Sequence, residues 1–132
     1  MVQKEFMVYV IDDDASIRRA FQLLLQSAEF EVQAFSSANE FLESVSPSES
    51  AVIILDMKMP GITGLDLLKN LEPRLPRTKF IAISALDDAP TQAVARELGA
   101  VAFFQKPVDG QALIDTIWWA IGGKGELIWR VD

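Results

Sequence analysis

The chain contains no cysteine and no histidine. The first absence excludes disulfides, thiolate nucleophiles and thiolate metal sites. The second removes the usual general base, the usual zinc ligand and any phosphohistidine formed within the chain. Long apolar runs are missing too, and none approaches the roughly 20 residues a membrane-spanning helix needs. One lysine and one glutamate precede the apolar run Phe6–Ile11, which is too short for a secretion signal. Positive charge is scarce. Twelve Lys and Arg stand against 19 Asp and Glu, and a net charge of −7 leaves no basic footprint for nucleic acid. A cytoplasmic protein is the expectation.

What is present points to a folded α/β protein. The chain has 132 residues, half of them hydrophobic, which is enough for one domain with a real core and too apolar for a disordered linker. Short apolar runs alternate with helical patterns. Phe6-Met7-Val8-Tyr9-Val10-Ile11 stops at Asp12-Asp13-Asp14. Ile17, Phe21, Leu24, Leu25 and Ala28 then keep helical spacing, with Arg18 and Arg19 off the stripe. A short strand is expected over 31–35, followed by a capping-box pattern, Ser37-Ala38-Asn39-Glu40, ahead of Phe41, Leu42 and Val45. After the loop 46–50, the run 51–55 ends at Asp56. Met59-Pro60-Gly61 reads as a turn, and Thr63 precedes a helix carrying Leu65, Leu68 and Leu71 that Pro73 and Pro76 end. A fourth strand is expected over about 79–84. Pro90 then opens a helix and Gly99 closes it. The run 101–104 leads to Lys106-Pro107, and a last helix is expected over 109–121.

The order is (βα)5, which implies a parallel sheet with right-handed crossovers and helices on both faces. Ligands of open α/β sheets bind beyond the carboxyl ends of the strands. Asp12, Asp13, Asp56, Ser84 and Lys106 all fall there. Carboxylates, a hydroxyl and a lysine at one edge suit a divalent cation and a phosphoryl group. Asp14 reads as the N-cap of the first helix.

These residues resemble the receiver domain of two-component response regulators. The likeness runs from about Phe6 to Ile121 and rests on four motifs in order: Val10-Ile11-Asp12-Asp13-Asp14, 54–64 around Asp56, Ile83-Ser84-Ala85 and Gln105-Lys106-Pro107. The resemblance implies a flavodoxin-like three-layer sandwich with sheet order 2-1-3-4-5. It implies that Asp56 is the phosphoacceptor. Mg2+, or Mn2+ in its place, would be held by Asp13, Asp56 and the Lys58 carbonyl, with Asp12 acting mainly through water. Lys106 and Ser84 would contact phosphoryl oxygens. A cis Lys106–Pro107 bond is part of the same pattern.

The resemblance also implies a switch. Ser84 would move toward the phosphoryl group and Phe103 would turn inward, altering the face made by the fifth strand and the helices on either side of it. Phe103 lacks the phenolic hydroxyl that a tyrosine would offer there. Leu86 cannot orient an attacking water, so hydrolysis is expected to be no faster than with an acidic residue. A Leu86→Glu variant that loses phosphate more slowly would contradict this.

Taking Leu113, Ile114, Ile117 and Ile121 as the buried stripe of the last helix, about 100° per residue puts Trp118 at its edge and Trp119 nearly opposite. Trp119 is therefore expected to be exposed and a candidate interaction anchor. Residues 1–121 would form the receiver. Residues 122–132 would form a short tail, read either as folding back on that helix or as the start of a linker to an output domain. With no internal histidine, the phosphodonor is a separate histidine kinase, a phosphotransfer protein or a small molecule. A homodimer through the switch face is a further expectation. Other classes remain open: a pseudo-receiver that binds partners without phosphorylation, a flavodoxin-like cofactor binder and an aspartate-based phosphatase.

Overall fold

The computed structural model describes residues 6–44, 50–57, 78–85, 89–97 and 99–122. The expected turn at 59–61, the helix after Thr63, Lys58, Leu86 and the tail beyond Gly122 lie outside the described residues. Among them run β1 (Phe6–Ile11), α1 (Ala15–Ser27), β2 (Val32–Phe35), α2 (Ala38–Ser44), β3 (Ser50–Asp56), β4 (Thr78–Ser84), α3 (Ala89–Glu97), β5 (Ala102–Gln105) and α4 (Gly110–Ile121). The strands pair in parallel in the order β2-β1-β3-β4-β5.

Successive strand side chains point to opposite faces, and that alternation sorts the core into two layers. Val8, Val10, Val52, Ile54, Ile81, Ile83 and Phe104 pack with Phe21 and Leu25 of α1 and with Leu113 and Ile117 of α4. Ile11, Ile53, Leu55, Ala82 and Phe103 pack with Phe41 of α2 and Ala95 of α3. β3 is buried from Ala51 to Asp56, as a central strand covered on both faces should be.

The helix ends follow local chemistry. The Asp14 carboxylate accepts from the N–H groups of Ser16 and Ile17 at 2.8 and 3.2 Å, and Asp109 does the same for α4. The expected capping box at α2 is shifted by one residue on its return leg. The Ser37 hydroxyl accepts from the Glu40 N–H at 3.0 Å, but the Glu40 carboxylate accepts from the N–H of Ser36 at 2.7 Å. Among the described helices, α1 and α3 end in Schellman turns. At α3 the turn residue is Gly99, with φ +78° and Ala100 donating to the Ala95 carbonyl at 3.1 Å. At α1 the same place is held by Glu29, with φ +72° and Phe30 donating to the Leu25 carbonyl at 3.0 Å.

α4 corrects the expectation for its tryptophans. Its buried residues are Leu113, Thr116, Ile117 and Ala120, while Ile114 and Ile121 are only partly buried. The small Ala120 and Thr116 face the sheet, and the Thr116 hydroxyl spends its donor on the Ala112 carbonyl at 2.8 Å. The buried stripe is thereby turned by about 65° from the one drawn through the large aliphatics. Trp119 is half-buried against the core, and Trp118 is 41% exposed. The Trp118 ring lies over Phe30 at 5.0 Å and near Phe6 at 6.4 Å.

Candidate functional site

The acidic turn after β1 and the last residue of β3 meet because those strands are neighbours, with Ile11 opposite Leu55. Asp12, Asp13 and Asp56 each offer a carboxylate oxygen, and these oxygens lie within 4.8 Å of one another. Asp12 and Asp56 are 0% and 5% exposed, whereas Asp13 is open to solvent. Two buried carboxylates side by side are costly unless a positive charge meets them. Lys106 supplies one: its Nζ lies 3.0 Å from Asp12 Oδ2 and 3.3 Å from Asp56 Oδ2. Burial pulls the pKa of that ammonium down. Its contact with Asp12 and the charges of Asp56 and Asp12 outweigh burial, so the net pKa stands above the ordinary lysine value.

Lys106 is held in place through the main chain. Its N–H donates to the Ser84 carbonyl at 2.8 Å, and the following Lys106–Pro107 bond is cis. Ser84 ends β4 and is wholly buried. The strand register sets Asp56 opposite Ile83, and Met57 donates to the Ile83 carbonyl at 2.8 Å, so Ser84 follows directly beside the end of β3. Four sequence-predicted side chains, from Asp12, Asp13, Asp56 and Lys106, thus converge at one edge, with Ser84 adjoining. Phe103 is wholly buried on the α2–α3 face. Trp119 lies on α4 and takes no part in the cluster.

One residue escaped the sequence reading. Arg18 falls off the apolar stripe of α1, and its sequence position assigns it no role. Its Nη1 donates to the main-chain carbonyl of Asp12 at 2.8 Å. Glu40 lies in its field. The Glu40 carboxyl is held below its usual value by hydrogen bonds from the Ser36 N–H and hydroxyl, with a smaller contribution from the Arg18 charge. The spacing of Arg18 one turn after Asp14 was the available signal, but nothing in sequence ties a guanidinium to a carbonyl.

The donor set fits a hard divalent cation. All three side-chain donors are carboxylate oxygens, which suit Mg2+. Among the described residues, three carboxylates face the Lys106 ammonium, so acidic groups outnumber the cation that meets them. Asp12 Oδ2 is buried and, apart from its ion pair with Lys106, lacks a well-directed hydrogen bond. Asp12, Asp13 and Asp56 could hold the ion.

Sheet order and the carboxylate cluster together define a flavodoxin-like α/β domain with an acidic edge. The family model for the response regulator receiver domain matches residues 8–118, and the chain belongs to that family. Among curated relatives it is 37% identical over 119 residues to the transcriptional regulatory protein FixJ of Azorhizobium caulinodans, covering 90% of this chain and 56% of FixJ. The chain spans about half the length of the curated relatives it matches, between 49% and 56% for the first three. Among solved structures, response regulator StyR matches with a TM-score of 0.79 and 37% identity, over 89% of this chain and 60% of that one. FixJ-N matches with a TM-score of 0.79 and 29% identity, over 92% of this chain and 98% of its own. Among the described residues no helix is long and apolar enough to cross a membrane.

Proposed function

We propose that this receiver takes a phosphoryl group onto Asp56 and that the acyl phosphate shifts a protein-binding face. The observation that carries this is the convergence of three carboxylate oxygens within 4.8 Å, with the Lys106 ammonium 3.0 and 3.3 Å from two of the same carboxylates. A carboxylate oxygen of Asp56 attacks phosphorus, the bond to the donor nitrogen or oxygen breaks, and the leaving group departs with its electron pair. Mg2+, when bound, neutralises charge on the phosphoryl oxygens. Asp13 and Asp56 would hold that ion directly and Asp12 mainly through water, with the Lys58 carbonyl as the further ligand that the family resemblance implies. Lys106 exchanges its contact with Asp56 for a phosphoryl oxygen, so positive charge is already placed where negative charge arrives. Ser84 donates its hydroxyl to another oxygen.

Phe103 occupies an inward, buried position. We assign the switch to exchange between this position and an outward one, read on the face formed by α3, β5 and α4. A homodimer through that face fits the reading. Residues 1–121 act as the receiver and 122–132 as its tail. The donor is a histidine kinase or a phosphotransfer protein, in the cytoplasm. Relatives such as FixJ are named as transcriptional regulators, and regulation of transcription is the output assigned here.

Intact mass after incubation with a small phosphodonor and Mg2+ tests the reading. One added phosphoryl group, dependent on metal and lost in Asp56→Asn, is expected. A folded, Mg2+-binding chain that gains no mass from small donors or from a kinase would leave the pseudo-receiver reading in its place.

A further inference from the structure

Three polar atoms of Asp12 are hydrogen-bonded and the fourth, Oδ2, is ion-paired. Its N–H donates to the Phe35 carbonyl at 3.1 Å, Oδ1 accepts from the Asp14 N–H at 2.9 Å, and Oδ2 faces Lys106 at 3.0 Å. The main-chain carbonyl oxygen accepts from Arg18 Nη1 at 2.8 Å. Three of these partners are backbone groups or the site lysine. Arg18 is the only side chain of α1 among them, and it is half-buried.

That carbonyl belongs to the peptide unit leading into Asp13. The unit is planar, so fixing the direction of the carbonyl also fixes the Asp13 N–H and narrows the directions open to the Asp13 Cβ. Asp13 is exposed, so packing does not aim its carboxylate. We propose that Arg18 is a positioning residue for the metal. By clamping the Asp12 carbonyl, it aims the exposed Asp13 carboxylate into the oxygen cluster shared with Asp12 and Asp56. This inference rests on the reading of that cluster as a Mg2+ site and deepens it.

The sign of the effect separates this role from simple charge. A guanidinium beside a cation site repels the cation, so charge alone predicts that removing Arg18 tightens Mg2+ binding. The clamp predicts the opposite. Outer partners that orient metal ligands typically cost about 10- to 100-fold in affinity when lost.

Calorimetric titration of Mg2+ into the full chain tests it, comparing wild type with Arg18→Met and Arg18→Lys. Arg18→Met keeps the apolar stem but removes donor and charge. It is expected to weaken Mg2+ about tenfold, and saturating Mg2+ is expected to restore its rate of phosphorylation by a small donor. Arg18→Lys, which returns a charged donor, is expected to regain at least half of that loss on a logarithmic scale. The proposal is overturned if Arg18→Met binds Mg2+ as tightly as wild type or more tightly, or if Arg18→Lys is equally impaired. Circular dichroism establishes that each variant is folded. Should Arg18→Met not fold, Arg18→Leu, which also lacks donor and charge, takes its place with the same outcomes. A wild-type chain that binds no Mg2+ would instead remove the metal reading itself, so the two failures are distinct.

Discussion

The two ends of β1 are built on opposite principles. Its carboxyl end runs into Asp12, wholly buried and facing the carboxylates of Asp13 and Asp56. Its amino end begins with Phe6, whose ring meets Phe30 at 5.9 Å and Trp118 at 6.4 Å. At one end like charges are crowded together and held by Lys106 and by backbone donors. At the other, aromatic rings shed water at little electrostatic cost. The carboxyl end is tuned for a cation and a phosphoryl group, and such sites commonly reduce stability. The amino end, far along the strand from the chemistry, is free to contribute stability.

The largest expected effect lies at the aromatic end. Phe30 is 4% exposed, and Phe30→Ala should cost about 3–5 kcal/mol by losing its burial and leaving a cavity. Thermal unfolding should show the same loss with and without Mg2+. A loss that depended on Mg2+ would erase the distinction between the two ends.

Next comes the acidic end. Mg2+ at about 100 times its Kd should stabilise the fold by roughly 2.7 kcal/mol, because only the folded chain presents the cluster. Asp56→Asn should abolish most of that gain. Without metal, the same variant should be as stable as wild type or more so, since it removes one of the crowded carboxylates. A large loss in metal-free unfolding would show instead that the Asp56–Lys106 pair is a net stabiliser.

Trp118→Ala should have a smaller effect, about 2 kcal/mol, since part of a ring that is 41% exposed gains little from burial. Chemical denaturation measures it, and phosphoryl acceptance should be unchanged. The smallest effect is a gain. Glu29 sits at φ +72° where α1 ends. Glu29→Gly should add about 0.5–1 kcal/mol by relieving the left-handed backbone. An unchanged denaturation midpoint would mean that the Glu29 side chain offsets its own strain.

Much of this molecule was legible in its residues. Strand ends were readable because buried strands are short apolar runs, and Asp12, Asp13, Asp56 and Lys106 each sit beside such an end. Asp14 was readable as a cap because capping depends on two or three residues in a row. The Ser37 to Glu40 box was read correctly in kind and missed by one residue in its return leg, a choice between two adjacent N–H groups. Trp118 and Trp119 were exchanged because a stripe drawn through the largest aliphatics ignores how closely a helix approaches a sheet. Where that approach is close, Thr116 and Ala120 face inward and the larger side chains are pushed to the flanks.

Local order therefore came from the chain itself: which segments are strands, where helices begin, and which acidic residues stand at strand ends. Periodicity and capping act over a few residues, and a linear text records them fully. Tertiary structure alone decided the rotation of α4, the reach of Arg18 to the Asp12 carbonyl, and the 3.3 Å at which Lys106 meets Asp56, 50 residues away in a sequence that placed both at the same edge. Those depend on packing distances between elements, and no spacing along a chain encodes a distance across a core.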